Sequence, residues 1–592
     1  MSGLCMLQAN NESVKKMAKE LLINQNLEIK DTYTDENIQL TQVALKGNKF
    51  KSFEQDGIVI FVDGYVYNIE ETNRLFAIEA DNFSQQLFYA YQNNILSKLL
   101  NKTDGYFCAT IYDKKSQKIL LISDRLGTRF TYYYFKKDIF AFCGSIKGLL
   151  AINNIEKNID KKSIECFVDN APNFYLLGDN TFFENIKLIN PATILEYNIA
   201  NNSLSQGYYW TFGEIKKSNI SYEEAIDVLH DLVEKAVLKR IKNINLNDCY
   251  LPLSGGLDSR LIFAILNNHN KMPSMIYTKG TKDCTDVVYA KKLCKRYGYF
   301  HNLITPTGID NYIENGMANS WNIDGMFPFV EYGTFSMQYN KTFSISGYIG
   351  DLIFGETCKN NSDYFDKKMD SKIAESFYGK HKNLSNYESN YYNIEKIEPS
   401  LLMNRVRRYT AQMVNHFSNY NEIIMPYIDN NIIDFIYSIP DEYRANNNLY
   451  ADMLLKYYNE YFKSLPWNRN NLPIRGKIYH NNKLNINYVI DIINNSKILS
   501  KKWKKSILKR ININNFKYRK TFHVFNIELS KSENINHIRE KYLNTTSLLN
   551  DYIPPDIFAE SEIAIANLNT WKIAIFLTVE FYLRNLKNKN YI

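Results

Sequence analysis

The chain has 592 residues, 45% apolar and 14% aromatic, so it is a globular protein too long for one core, and two or three domains are expected. A formal charge of +8 is small for this size and argues against a nucleic-acid partner; the local basic run from Lys501 through Lys505 to Lys509-Arg510 reads as a solvated helix face. The eight cysteines are scattered, with no C-x-x-C and no histidine at ligand spacing, which removes a zinc site and a disulfide framework and leaves reduced thiols in a cytoplasmic protein.

No charged-then-apolar leader follows Met1. The late apolar stretch Trp571 to Leu583 is too short to span a bilayer and contains Glu580, so it reads as a core helix and no membrane partner is expected.

Residues 1 to 205 read as strands and turns around a few helices. Gly57 to Val62 is a strand leading into a turn at Asp63-Gly64, and Lys118 to Asp124 is another strand. From Ser221 the pattern changes: Ser221 with Glu224 makes a capping box, and Ala225, Ile226, Leu229, Leu232, Val233, Ala236 and Val237 form one helical stripe. The expected division is therefore 1–205 and 206–592, with the linker near 206–220. Beyond it, Ser274 to Thr278 reads as a buried strand, Asp286 to Tyr297 as a helix and Phe343 to Ser346 as a later strand, the alternation of a parallel α/β sheet. From about 400 helices dominate, and the Asn/Lys-rich stretch near 480–520 reads as a loop or insertion.

Within the second unit lies Ser254-Gly255-Gly256-Leu257-Asp258-Ser259-Arg260, between the apolar run Tyr250 to Leu253 and a helical stripe that begins at Leu261. Unpaired N–H groups at a helix start and two glycines that admit close approach make an anion site there. The spacing is not that of a Walker A loop, and no lysine enters the turn. The signature resembles the PP-loop of the N-type ATP pyrophosphatases, which cleave ATP between its alpha and beta phosphates.

An ordered set of further motifs accompanies it: Asp63-Gly64-Tyr65-Val66-Tyr67-Asn68, Asp104-Gly105-Tyr106-Phe107, Asp124-Arg125-Leu126-Gly127-Thr128-Arg129, Ser346-Gly347-Tyr348-Ile349-Gly350-Asp351 and Met425-Pro426-Tyr427-Ile428-Asp429. In content and order the set resembles asparagine synthetase and its relatives, the beta-lactam synthetases and lasso-peptide cyclases. The resemblance implies an α/β protein: an N-terminal αββα sandwich of the N-terminal nucleophile hydrolase type, then a parallel-sheet PP-loop domain with a helical C-terminal part.

It also implies ATP and Mg2+ as cofactors. Asp258 and Asp351 would hold the metal on the pyrophosphate, and Ser254, Gly255, Gly256, Leu257 and Ser259 would contact the phosphates. Leu253, Ser346 and Gly347 would line the nucleoside. Tyr348 stands where asparagine synthetases carry Glu and beta-lactam synthetases a Tyr that works with a Glu; Glu375 and Glu388 are at suitable distance in the chain, and an ordinary packed tyrosine is the alternative. Arg260 could face phosphate or pair with an acid. The family's late-loop lysine has no match at Pro466 to Asn471, and Arg469, Arg475 or Lys477 would substitute.

The first half departs from the family. A glutaminase of this type attacks with an N-terminal cysteine, and that position is Ser2 here, a hydroxyl of far higher pKa. Asp63 and Tyr65 replace the glutamine-binding Asn and acid, and Cys5 reads as a core thiol. The first half is thus expected to be a scaffold. The function expected is an ATP-dependent amide-forming ligase acting on small-molecule or peptide carboxylates and amines, with a source other than glutamine for its amine nucleophile and a homodimer allowed for. Asparagine synthesis is the alternative within the class. A tRNA-modifying PP-loop enzyme usually needs paired catalytic cysteines, and the absence of C-x-x-C here counts against it; a non-catalytic nucleotide-binding protein is the alternative of another class.

Overall fold

The computed structural model describes residues 2–8, 14–48, 52–169, 175–305, 309–327, 340–354, 402–468, 473–474, 479–480, 483–484, 503, 532–567 and 569–592. Its first part holds twelve strands: β1 (Gly3–Gln8), β2 (Leu27–Thr34), β3 (Ile38–Leu45), β4 (Phe53–Gln55), β5 (Ile58–Val66), β6 (Gly105–Asp113), β7 (Lys118–Ser123), β8 (Tyr132–Lys136), β9 (Ile139–Cys143), β10 (Ile186–Leu188), β11 (Thr193–Asn198) and β12 (Ser203–Tyr208). They form two six-stranded antiparallel sheets, ordered β10-β8-β9-β1-β3-β2 and β12-β11-β7-β6-β5-β4.

Alternation along the strands explains why the sheets stack. Leu4 and Met6 of β1, Val59 and Phe61 of β5, and Cys108 and Tyr112 of β6 share one core cluster between the sheets. Their neighbours Cys5, Leu7, Ile58 and Ile60 point outward and join a second cluster with Met17 and Leu21 of the helix Val14–Leu21 and Leu87 of the helix Phe83–Gln92. Helix, sheet, sheet, helix is the αββα sandwich the resemblance implies.

Two local readings change. Asp63 and Gly64 are not a turn: both lie inside β5, paired with Cys108 and Phe107 of β6. Gly64 has φ +122, and a Cβ there would lie 2.2 Å from the Tyr106 carbonyl oxygen, so glycine is required by strand contact. In addition, β12 straddles residue 205.

The second part is built on a parallel sheet of β13 (Cys249–Pro252), β14 (Met275–Lys279), β15 (His301–Ile304), β16 (Phe343–Ile345) and β17 (Glu422–Ile424), ordered β15-β14-β13-β16-β17. The chain runs outward to one side from β13 and returns to β16 on the other. That reversal opens a crevice at the C-terminal ends of β13 and β16, where open α/β sheets bind ligands. Edge strand β17 comes from beyond residue 400, inside the part expected to be helical.

The helix Tyr222–Ile241, capped by Ser221 Oγ accepting from the Glu224 N–H at 3.3 Å, joins the two parts. Buried Arg240 near its end donates to Asp429 at 2.6 Å and to Asp104 of the sandwich at 3.0 Å. Burial opposes ionisation of Asp104, but Arg240 and Lys239 outweigh it and hold the carboxyl well below its usual range. The late helix Thr570–Asn588 is a core helix: buried Glu580 accepts from Ser547 Oγ at 2.6 Å and from Arg584 Nε at 2.7 Å.

Candidate active site

The strand β13 ends in the small-residue turn, and the helix Leu257–Asn268 starts at once, with Gly256 as its N-cap. The turn satisfies much of itself. The Ser254 N–H donates to Ser259 Oγ at 3.0 Å, the Gly256 N–H to Ser254 Oγ at 3.1 Å, and the Gly255 N–H to Asp286 Oδ1 at 2.8 Å. Gly255 is thus not an anion donor as placed. The donors that a helix start leaves without intrahelical partners are the N–H groups of Leu257, Asp258 and Ser259.

Across the crevice, β16 leads into Ser346 to Asp351. A Cβ on Gly347 would stand 3.1 Å from Asp258 Cβ and from the Ser259 nitrogen, and one on Gly350 2.6 Å from Asp258 Cγ, so the glycines let this turn lie against the first. Ile349 has φ 61 and ψ 1, a left-handed conformation that is costly for a β-branched residue. The Asp351 N–H donates to the Asp258 carboxylate, Tyr450 Oη donates to Asp258 Oδ1 at 3.0 Å, and Tyr427 Oη to the Asp258 carbonyl at 2.8 Å.

Burial, and then the charge of Asp351, push Asp258 up to about 8 from 3.8. A nearby pair of carboxylates, one of them raised by burial and by the charge of the other, is a donor set that a hard divalent cation would relieve. Among the described residues no three His, Cys, Asp or Glu side chains cluster as a metal site, so such a cation would need further oxygen ligands, as phosphate supplies.

Leu253, Ser254, Gly256, Asp258 and Ser259 from one turn, and Ser346, Gly347, Tyr348 and Asp351 from the other, line a single cavity of 480 Å³. Met413, Val414, Phe417 and Ile423 form its apolar side. A second cavity of 360 Å³ is lined by Gly256, Leu257, Asp258, Asp351, Tyr450 and Asn468, among others. The first also contains Lys279 at the end of β14, a residue that no motif singles out. Burial lowers its ammonium to about 7, and its Nζ lies 4.5 Å from the centre of the Phe417 ring. A lysine ending the apolar run Met275 to Thr278 was the signal available for it.

Tyr348 is 5% exposed, and its hydroxyl has no hydrogen-bond partner among the described residues. Burial pushes its pKa well above the usual phenol range, so at neutral pH it is an uncharged phenol. The Arg260 guanidinium turns to the main chain, donating to the carbonyls of Gly255, Leu465 and Pro466. Arg469, Arg475, Lys477, Glu375 and Glu388 lie outside the described residues.

In the sandwich, Ser2 at the head of β1 is buried, and its Oγ accepts from Arg129 at 2.7 Å. The same guanidinium grips Asp63 with two bonds of 2.6 and 2.7 Å. Glu422 of β17 completes the cluster from the second part. It accepts from Asn48 Nδ2 at 3.0 Å, and burial, only partly offset by Arg129, pushes it up to about 7. Cys5 is wholly buried, and burial followed by its hydrogen bond with Cys143 raises its thiol well above the usual range.

Two family models match: a glutamine amidotransferase domain over residues 12–210 and an asparagine synthase domain over 229–314. The chain is 23% identical to putative asparagine synthetase [glutamine-hydrolyzing] 1 of Methanocaldococcus jannaschii, over 67% of this chain and 68% of that protein. It is 26% identical to putative asparagine synthetase [glutamine-hydrolyzing] 2 of the same organism, over 50% of this chain and 58% of that one. Asparagine synthetase [glutamine-hydrolyzing] 3 of Bacillus subtilis matches at 23% identity over 68% and 73%.

The chain belongs to the asparagine synthetase family. It is therefore an ATP-dependent carbon–nitrogen ligase by family, with a glutamine amidotransferase-like first part. The asparagine synthase match contains the whole 254–260 turn and the strands β13 to β15. No helix among the described residues is long and apolar enough to cross a membrane.

Proposed function

We propose that this member of the asparagine synthetase family adenylates a substrate carboxylate with ATP, releases pyrophosphate, and forms an amide with an amine that glutamine hydrolysis in its own sandwich does not supply. The observation that carries the second half is the buried Ser2–Arg129–Asp63 cluster. The Arg129 guanidinium and the residues at the family's nucleophile and glutamine-binding positions satisfy one another, and among the described residues no base accepts a hydrogen bond from Ser2 Oγ.

In the ligase half, Asp258 and Asp351 would hold Mg2+, which when bound neutralises the charge of the departing diphosphate. The helix-start N–H groups of Leu257, Asp258 and Ser259, with the hydroxyls of Ser254 and Ser259, orient the phosphate oxygens. The apolar side of the 480 Å³ cavity excludes water from the acyl-adenylate, which would otherwise be hydrolysed. Holding the carboxylate against the alpha phosphate is the main catalytic contribution of such a site.

Asparagine formation from aspartate and ammonia is the second reading, favoured by the names of the relatives. Pyrophosphate–ATP exchange with a panel of carboxylates, followed by product analysis with ammonia, glutamine and organic amines, separates the two. Exchange without glutamate release from glutamine is expected. Glutamine-dependent asparagine formation would defeat the first reading, and absence of exchange with every carboxylate would favour a nucleotide-binding protein.

A further inference from the structure

The family motif does not account for Arg260, whose side chain is fully buried yet charged, in the first turn of the helix Leu257–Asn268. Its Nη1 donates to the Leu465 carbonyl at 3.0 Å, and its Nη2 to the carbonyls of Gly255 and Pro466, each at 2.8 Å. A planar fork is suited to spanning carbonyls on two separate segments, which a lysine's single nitrogen cannot do. The second segment returns the contact: the Asn468 N–H donates to the same Gly255 carbonyl at 3.1 Å, and Asn468 Nδ2 donates to Asp286 Oδ1 at 2.8 Å. Asp286 Oδ1 also receives the Gly255 N–H. The Gly255 residue is therefore held at both its donor and its acceptor.

We propose that Arg260 is a positioning residue that, with Asn468 and Asp286, locks the Gly255–Gly256 peptide so that the turn presents its phosphate-facing groups before ligand arrives. The peptide is planar and trans, so drawing the Gly255 carbonyl toward Arg260 turns the Gly256 N–H the opposite way, toward Ser254 Oγ. Ser254 Oγ in turn lies 3.0 Å from Ser259 Oγ, and both serines line the cavity. Fixing one peptide thus fixes two hydroxyls and the start of the helix. Gly255 is required for this closeness, because a Cβ there would stand 2.9 Å from Asn468 Cβ and 3.0 Å from the Tyr289 ring.

The inference rests on the nucleotide-binding reading above, and titration calorimetry of the full chain keeps the two apart. The probes are magnesium pyrophosphate and AMP, titrated into wild type, R260K and R260M. R260M is expected to weaken pyrophosphate binding at least about tenfold and AMP binding by less than about twofold, with R260K between wild type and R260M. A merely structural role would lower both affinities together. Equal losses for the two probes, or unchanged pyrophosphate binding in a folded R260M, overturns the proposal. If R260M does not fold, R260K and N468A decide, and unchanged pyrophosphate affinity in both overturns it. A wild-type chain that binds neither probe overturns the nucleotide-binding reading as well.

Discussion

The main-chain N–H of Asp351 donates to the carboxylate of Asp258, so the two acids of the crevice are tied together while their charges repel. Burial is the larger cause and Asp351 the second of an Asp258 carboxyl that titrates near 8. The folded state then binds a proton that the unfolded chain, titrating near 3.8, releases. Between those values this group makes stability fall as pH rises. Thermal unfolding of D258N and wild type without divalent cation checks this, with D258N gaining on wild type from about pH 5 to about pH 8. Mg2+ added to wild type should raise its melting temperature more at pH 8 than at pH 6. A pH-independent difference contradicts the assignment.

The Arg129–Asp63 pair is a fixed part of the sandwich, both side chains being nearly inaccessible. Removing one partner leaves a buried charge, so R129M should cost about 3–5 kcal/mol in denaturant unfolding. S2C should not release glutamate from glutamine, because the same guanidinium still engages position 2 and Asp63. Glutamate release by S2C at a rate comparable with its ligase turnover would show the cluster to be permissive.

Among the described residues, Ile349 is the one β-branched residue with positive φ. Replacing it will cost buried apolar contact, but the order of two replacements is diagnostic. At an ordinary position Ala is more stable than Gly; here I349G should be more stable than I349A by about 1 kcal/mol, because only Gly adopts this conformation without penalty. The reverse order would place Ile349 outside the left-handed region.

The unpartnered hydroxyl of Tyr348 makes a further case. Y348F removes a buried polar group without opening a cavity, so it should leave stability unchanged or raise it by up to about 1–2 kcal/mol. Pyrophosphate–ATP exchange should persist within about threefold, under 1 kcal/mol of barrier, since an uncharged phenol adds little to adenylation. Loss of exchange in a folded Y348F would assign the hydroxyl a part in the first chemical step.

Local patterns made the strand, turn and helix at 249–268 legible, because apolar run, small residues and helical stripe follow in order. The crevice is legible only through a second motif of the same family, since β16 at Phe343–Ile345 is too short for periodicity to mark. What sequence reasoning missed is non-local. Arg260 meets Leu465 and Pro466 more than two hundred residues away, and Lys279 enters the cavity from a strand without a motif. Asp63-Gly64 reads as a turn by composition, but tight pairing with Cys108 and Phe107 keeps it in a strand. Glu422 reaches the sandwich from β17, a three-residue strand in a region whose composition reads as helical.

The central claim is that the paired acids of the crevice bind ATP through a divalent cation on its phosphates. Titration of ATP into wild type, D258N and D351N, with and without Mg2+, tests it most directly. Binding by wild type that requires Mg2+ and is lost in both variants is predicted; Mg2+-independent binding, equal in all three proteins, would contradict it.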